Sequence, residues 1–378
     1  MSYAFTEEQL LIQQNALEFA KEYLEPIAAE LDHNAKFPTE IVKKMAEQDL
    51  LGLFLPSEYG GAEAGFVAFV EVIEALSRSS ASVAAILLNH AIAAYAIEHW
   101  GSKEQKSAYL PALVKGEKLG ALAFYENGQT PGVGPDALVA EKKPEGYVLN
   151  GVKAYVRNAG VAGVYVVLAT TDPASNGKSL TAFLVDAKAT GLKVGAAKTS
   201  MGLRACPMAD LTFENVIVPE SAVLGSVDGG LALATETLAV FSLGEAAETV
   251  GIGQAAVEHA AAYSKTRVQF GKPISVLQAI QTLLAEVATD AHVARLALYD
   301  AAQLVQDGKP FETEAAMVKA FLARFGSKML LDTVQIEGGF GYSEFMPLPR
   351  LFRDIAGTTL LEAPAEFPDK TIAAALLA

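Results

Sequence analysis

Cysteine and tryptophan are almost absent from this 378-residue sequence, which has one of each. The single cysteine, Cys206, excludes an internal disulfide and leaves too few thiols for a cysteine-based zinc site; no metal site is predicted. Such cysteine usage is typical of a reducing compartment. Because the N-terminus has neither a basic region nor an apolar stretch typical of an export signal, we expect a cytoplasmic protein.

Positive charge is also scarce, with 29 lysines and arginines against 44 acidic residues and a net charge of -15. A field of that sign disfavours nucleic acid and anionic membranes as partners, and any phosphate-bearing ligand would need local basic groups. No apolar run reaches the roughly 18 residues that a membrane span requires. The 51% hydrophobic content therefore predicts a large core or a subunit interface.

The periodicity of the chain changes twice, which predicts an α+β fold of three domains. A capping box at Thr6 opens a helical N-terminal domain over residues 1–120. Short β-branched runs such as 164–169 predict an all-β middle domain over 121–230. A C-terminal helical domain over 231–378 follows, with long helical segments at 232–265, 275–306 and 311–335.

The most informative segment is QIEGGFGY at 335–342, which is followed by Arg353-Asp354 and then Glu362. Its paired glycines let the backbone approach an anionic ligand. Glu362 stands among apolar neighbours, so burial would raise its pKa and suit it to abstracting a proton from carbon. The alternative is a carboxylate in the first turn of a terminal helix, where the helix dipole favours it.

Six fragments in the same order and with the same spacing resemble the acyl-CoA dehydrogenase flavoproteins over nearly the whole chain. Each fragment is weak alone, and the set is specific. They are LPSEYGG at 55–61, YVLNGVK at 147–153, MGLR at 201–204, VIVP at 216–219, RVQFGKPI at 267–274 with Gln278, and 335–342 with Arg353-Asp354.

The resemblance implies an N-terminal helical domain, a middle β-barrel domain and a C-terminal four-helix bundle, assembled as a tetramer with flavin adenine dinucleotide (FAD) at subunit interfaces. The guanidinium of an arginine suits a pyrophosphate, although such a group at a helix end is also an ordinary surface charge. The residues that the resemblance places against the FAD of a neighbouring subunit are Arg267, Phe270, Gln278, Gln335, Gly338 and Gly339.

Glu362 coincides with the catalytic base of the medium- and short-chain members. The resemblance implies that it removes the α-proton of an acyl-CoA thioester while the β-hydrogen leaves as hydride to the flavin. Electrons would be exchanged with an electron-transferring flavoprotein. The predicted function is therefore an FAD-dependent acyl-CoA dehydrogenase, working in oxidation or, in reverse, in reduction.

Three further predicted cofactor-binding residues, Tyr125, Tyr155 and Arg157, depart from the family's pattern. Tyr155-Val-Arg157 replaces Trp-Ile-Thr, whose hydroxyl lies near flavin N5. An inward Arg157 would stabilise an anionic reduced flavin, whereas an outward one would only lose the hydrogen bond. Tyr125 and Tyr155 either shape an acyl pocket or simply pack.

These losses leave an alternative open. Residues that serve a neighbour's cofactor are kept, while those that cradle the chain's own flavin ring are altered. The chain could therefore be a flavin-poor partner subunit of a heterotetramer, or a family member with another acyl-CoA thioester activity. Glu362 argues for the enzyme, since a base is useful only beside the chain's own flavin.

Overall fold

The computed structural model describes residues 5–127, 137–360 and 366–377. The predicted capping box opens the first helix: Thr6 Oγ1 accepts the Gln9 N–H at 3.2 Å, and Gln9 Oε1 accepts the Thr6 N–H at 2.9 Å. Both bonds satisfy N–H groups that the first turn leaves free. The N-terminal helices are α1 Glu7–Phe19, α2 Ala28–Asn34, α3 Thr39–Glu47, α4 Gly65–Trp100 and α5 Lys103–Val114.

Helix α4 is the central element of the helical core. It runs for 36 residues and kinks at Ser80, where φ is -151° and ψ is 97°. By length and composition α4 could cross a membrane, but 94% of its most apolar window is buried inside the protein. It is therefore part of a large core, one of the two alternatives that the high hydrophobic content predicted.

The middle domain is one mixed sheet, which confirms the predicted all-β segment between two helical domains. Its described path runs β6-β7-β3-β2-β4-β5-β8, and β1 pairs with β4 in parallel. A register shift between Lys153 and Val156 interrupts the β3–β7 ladder. The strands are β1 Gly120–Ala123, β2 Val139–Lys143, β3 Gly146–Arg157, β4 Val164–Thr170, β5 Leu180–Asp186, β6 Leu192–Val194, β7 Met208–Val218 and β8 Val223–Leu224.

The C-terminal domain is helical, as predicted, and packs on α4 through glycines. A Cβ on Gly251 would lie 2.2 Å from the Glu74 carbonyl oxygen, so only glycine allows the helices to approach so closely. Its elements are α6 Gly230–Thr266, a hairpin of β9 Val268–Gln269 and β10 Lys272–Pro273, α7 Gln278–Gln306, α8 Glu312–Glu337, α9 Leu348–Leu360 and α10 Glu366–Leu377.

Adjacent residues of α9 connect it to both other domains. Arg353 Nη1 donates to Asp32 Oδ1 at 2.9 Å and to the Met201 carbonyl at 3.0 Å. The buried Asp354 accepts the Leu203 N–H at 2.7 Å. Burial raises the pKa of Asp354 to about 6, and the bond from Leu203 opposes that rise. These contacts fix α9, and α9 is the helix that precedes Glu362.

Candidate functional site

Predicted cofactor residues that are far apart in sequence lie at one end of the C-terminal domain. Arg267 follows the last residue of α6, Gln278 is the first residue of α7, and Gln335 is in the last turn of α8. The Ile274 N–H donates to the Arg267 carbonyl at 2.9 Å, which folds the β9–β10 hairpin back onto the end of α6. The fold therefore brings a cation and two amide-bearing residues to the same end of the domain.

The glycine turn after α8 lies beside the same arginine. The guanidinium carbon of Arg267 is 5.7 Å from the centroid of the Phe340 ring. Gly338 ends α8 with φ 60° and ψ -134°, a conformation that disfavours a side chain. A Cβ on Gly338 or Gly339 would meet no described atom within 4 Å. The backbone of this turn is thus open to a ligand from outside the chain.

Large aromatic side chains in the β9–β10 hairpin and in the segment after the glycine turn are exposed to solvent in the single chain. Phe270, at the tip of the hairpin, is 87% exposed with φ 54°, and Tyr342 and Phe345 are 85% and 94% exposed. Exposed aromatic side chains beside a guanidinium and bare backbone fit a dinucleotide, which needs a charge partner for its pyrophosphate and apolar cover for its rings. These residues therefore fit FAD bound at a subunit boundary.

The middle-domain residues Tyr125 and Tyr155 lie apart from this surface. The Tyr125 carbonyl accepts the Ala154 N–H at 2.9 Å, which holds residue 125 beside the irregular part of β3. Tyr155 has φ 56° and is 47% exposed, and its ring lies 4.4 Å from Lys198 Nζ. The structure therefore places the Tyr155 ring on the outside of the sheet.

Arg157 points inward. Its side chain is buried, and Nη2 donates to the Gly357 carbonyl at 3.4 Å, in the last turn of α9. Glu362 itself lies outside the described residues, so the structure does not place it relative to Arg157. The described contact extends from the middle sheet to the helix that leads toward Glu362.

Sequence reasoning missed two buried ion pairs near the same region. Lys319 Nζ contacts the Glu245 carboxylate and donates to the Thr358 carbonyl at 3.0 Å. Lys153, on β3, contacts the carboxylate of Glu126, next to Tyr125. No local signal marks either pair, because the partners are separated by 74 and 27 residues in sequence.

Three domain families match the chain in order: the acyl-CoA dehydrogenase N-terminal domain at residues 6–117, the middle domain at 130–216 and the C-terminal domain at 228–377. The chain is 39% identical over 375 residues to 3-(aryl)acrylate reductase of Clostridium sporogenes, covering 99% of each. It is 37% identical over 382 residues to acryloyl-CoA reductase (NADH) of Anaerotignum propionicum, covering 99% of this chain and 95% of the relative.

Solved structures agree with this result. The fold superposes with a TM-score of 0.96, at 33% identity and full coverage of both chains, on a chain solved in work on the electron transferring flavoprotein of Acidaminococcus fermentans. The matches confirm the predicted resemblance, the fold class, the FAD cofactor and the class of enzyme, an oxidoreductase acting on the CH–CH bond of acyl-CoA.

Proposed function

Because this chain belongs to the acyl-CoA dehydrogenase family, we propose that it transfers two hydrogens across the Cα–Cβ bond of an acyl-CoA thioester with Glu362 as its base. The single observation that carries this proposal is the position of Arg267 beside Phe340 and the open Gly338–Gly339 turn, a site that fits FAD. Bound FAD supplies the hydride acceptor or donor.

The protein itself supplies the group that transfers the proton, the Glu362 carboxylate. In oxidation the Glu362 carboxylate takes the proton from Cα, the Cβ–H bond breaks with its electron pair leaving as hydride, and a carbon–carbon double bond forms. In reduction the same carboxyl group returns a proton to Cα as hydride arrives at Cβ. Because thioester α-protons are weakly acidic, the carbonyl oxygen needs hydrogen-bond donors as negative charge develops on it.

We propose reduction of a 2-enoyl thioester as the working direction. The support is the similarity to two relatives over their full length, a 3-(aryl)acrylate reductase and an acryloyl-CoA reductase. We also propose an electron-transferring flavoprotein as redox partner, in view of the similarity to a chain solved in work on such a protein.

Assembly as a homotetramer or heterotetramer is proposed from the surface that carries Phe270, Tyr342 and Phe345. Such exposed aromatic side chains are typical of interfaces. Size-exclusion chromatography with light scattering tests this assembly, because a tetramer would have four times the 39.8 kDa mass of one chain. We further propose domain boundaries near residues 120 and 230 and a cytoplasmic location, the latter in keeping with the low cysteine content.

An anaerobic spectral titration tests the activity. Protein purified alone should be yellow, with about one flavin per chain, and 3-phenylpropanoyl-CoA or butanoyl-CoA should bleach it. After reduction with dithionite, 3-phenylacryloyl-CoA should restore the oxidised spectrum. Colourless protein that cannot take up added FAD would refute the proposal and favour the flavin-poor partner subunit instead. Flavin that no acyl-CoA bleaches would point to a different thioester activity.

A further inference from the structure

Two helices of the C-terminal domain end side by side at the proposed cofactor site. A Cβ on Gly253 of α6 would lie 3.3 Å from Met329 Cε of α8. Arg267 lies beside Phe340 just after the ends of these helices, so α6 and α8 run in the same direction. Each helix brings the negative end of its dipole to this place, where a further negative charge is unfavourable unless another group compensates it.

Glu337 places a carboxyl group at that unfavourable end. It is the last residue of α8 and is 3% exposed. Its Oε1 lies 2.6 Å from Nδ1 of His259 on α6, and the two side chains share a hydrogen bond. Among the described residues, its other oxygen, Oε2, has no hydrogen-bond partner. The bond with His259 therefore compensates the burial of this carboxyl group.

The glycine turn folds directly onto Glu337. A Cβ on Gly341 would lie 2.8 Å from the Glu337 Cβ and 2.8 Å from the Val334 carbonyl oxygen, so the turn closes tightly against the end of α8. The Gly338 N–H donates to the Val334 carbonyl at 2.9 Å. The position of Glu337 therefore sets the path of the turn, whose backbone at Gly338 and Gly339 is open to a ligand.

One face of α6 contacts both Glu337 and the glycine turn. His259, Tyr263 and Arg267 follow one another at helical spacing, so they lie along that face. The hydrogen bond from His259 reaches Glu337. The centroids of the Tyr263 and Phe340 rings are 6.3 Å apart, and the Arg267 guanidinium carbon is 5.7 Å from the Phe340 centroid. The polar bond thus belongs to the same row of contacts as the proposed partner of the pyrophosphate.

We propose that Glu337, through its hydrogen bond with His259, is a positioning residue of the cofactor site. The bond fixes the end of α8 against α6. It thereby holds the open backbone of Gly338 and Gly339 and the guanidinium of Arg267 in one arrangement before FAD binds. A site arranged in advance loses less conformational freedom on binding, which strengthens the affinity. This inference rests on the proposed function, because it takes FAD as the ligand of this site.

Two substitutions of the same size separate the hydrogen bond from packing. Asparagine and leucine have nearly the same shape, but only asparagine offers a donor near the place of Nδ1. His259→Leu should raise the Kd for FAD about tenfold, whereas His259→Asn should restore most of the affinity. Fluorescence titration of the flavin-free, full-length chain measures both values. A wild-type Kd in His259→Leu, or equal losses in the two variants, would overturn the inference.

His99→Leu is the matched control. His99 contacts Glu236 at 3.3 Å, which makes a second histidine–glutamate pair near the start of α6. At 1.5 Å per residue, about 45 Å of helix separates Glu236 from Arg267. Loss of this pair should leave the Kd for FAD unchanged. A Kd raised as much as in His259→Leu would show that the effect is not specific to Glu337 and would overturn the inference.

Amide hydrogen exchange of the flavin-free chain tests the turn without any ligand. His259→Leu should speed exchange about tenfold in peptides that cover residues 338–343, because the end of α8 loses its contact with α6. Peptides from the middle sheet should exchange as in wild type. Unchanged protection of the turn in His259→Leu would contradict the positioning role.

A second variant covers the case in which His259→Leu does not fold. His259→Leu combined with Glu337→Leu leaves no buried carboxyl group without a partner, and such paired apolar replacements can be nearly neutral for stability. The double variant should therefore fold, yet keep the weakened FAD binding and the faster exchange of the turn. A wild-type Kd in the double variant would show that packing alone positions the turn, and would overturn the inference.

The wild-type chain separates this inference from the proposed function. If wild type takes up no FAD, the proposed function fails and the inference fails with it. If wild type binds FAD and both His259 variants bind it equally well, only the positioning role of Glu337 fails.

Discussion

The ammonium group of Lys153 and the carboxylate of Glu126 form an ion pair in which neither side chain is exposed to solvent. Lys153 Nζ also donates to the Phe124 carbonyl at 2.9 Å, and Glu126 Oε1 accepts the Leu138 N–H at 3.3 Å. The pair therefore ties β3 to the backbone on both sides of residues 128–136. Removing one partner would leave the other buried without its counter-ion.

We predict that Glu126→Gln lowers the free energy of unfolding by about 3–5 kcal/mol, because the Lys153 ammonium would lose its buried counter-ion. Urea denaturation of the flavin-loaded protein measures this loss. Glu220→Gln is the matched control, since it breaks the exposed pair with Lys142 and should cost about 0–1 kcal/mol. Equal effects of the two substitutions would contradict the prediction.

Glu71 gives a pH-dependent prediction. It is fully buried on α4, and neither carboxyl oxygen has a hydrogen-bond partner among the described residues. Burial, together with the negative charge of Glu74 and against the opposing charge of Arg295, raises the pKa of Glu71 to about 8. Because the folded state binds this proton more tightly than the unfolded state, stability should fall as pH rises from about 4.5 to 8.

Glu71→Gln should remove this loss of stability with rising pH. Between about pH 5 and pH 7.5 the variant should gain roughly 3 kcal/mol relative to wild type, as measured by urea denaturation at each pH. Glu40→Gln, at an exposed residue of α3, should show a difference from wild type that does not change with pH by more than about 0.5 kcal/mol. A constant difference for Glu71→Gln would mean that its carboxyl group does not titrate in this range.

Arg267→Gln should weaken FAD binding by about 10- to 100-fold, because a charged donor to the pyrophosphate would be lost in a protein of net negative charge. Fluorescence titration of the flavin-free protein with FAD measures the change in Kd. Arg324→Gln makes the same charge change on an exposed side chain of α8 and should leave Kd unaltered. Similar Kd values for the two variants would remove Arg267 from the cofactor site.

Gly339→Ala separates an external contact from a folding effect. The added methyl would meet no described atom of its own chain within 4 Å, so the free energy of unfolding of the chain should not change. If a second subunit or its FAD approaches this turn, flavin content and tetramer fraction should both fall. The ratio of flavin absorbance to protein absorbance measures the flavin content, and light scattering measures the tetramer fraction. Gly308→Ala, in another open turn with φ 65°, should cost about 1 kcal/mol of stability but keep the flavin.

Local signals allowed much of the fold to be predicted from sequence. The Thr6 capping box and the end of α7 at Gln306 lie where predicted, because caps and turn residues act on their immediate neighbours. The change from helical to strand periodicity separated the middle sheet from the helices. For the cofactor surface, the order of the fragments indicated residues that only the fold could bring together.

Contacts across the fold could not be predicted in the same way. Whether Arg157 points inward depends on the register shift between Lys153 and Val156, where the positive φ of Tyr155 breaks the alternation of side chains. The Arg353–Asp32 contact joins residues 321 apart, a separation at which no periodicity carries information. The sequence therefore predicted candidate cofactor residues but left the direction of Arg157 undecided.

Glu362→Gln tests the proposed base. Glutamine has nearly the same shape but cannot accept the α-proton, so acyl-CoA turnover should fall by at least 10²- to 10⁴-fold, the usual contribution of a general base. FAD content should stay near one per chain, because none of the cofactor contacts proposed above involves this side chain. Glu286→Gln, an exposed carboxylate on α7, should keep wild-type turnover. Activity in Glu362→Gln close to wild type would assign the proton transfer to another group, whereas lost activity together with lost flavin would indicate a structural role.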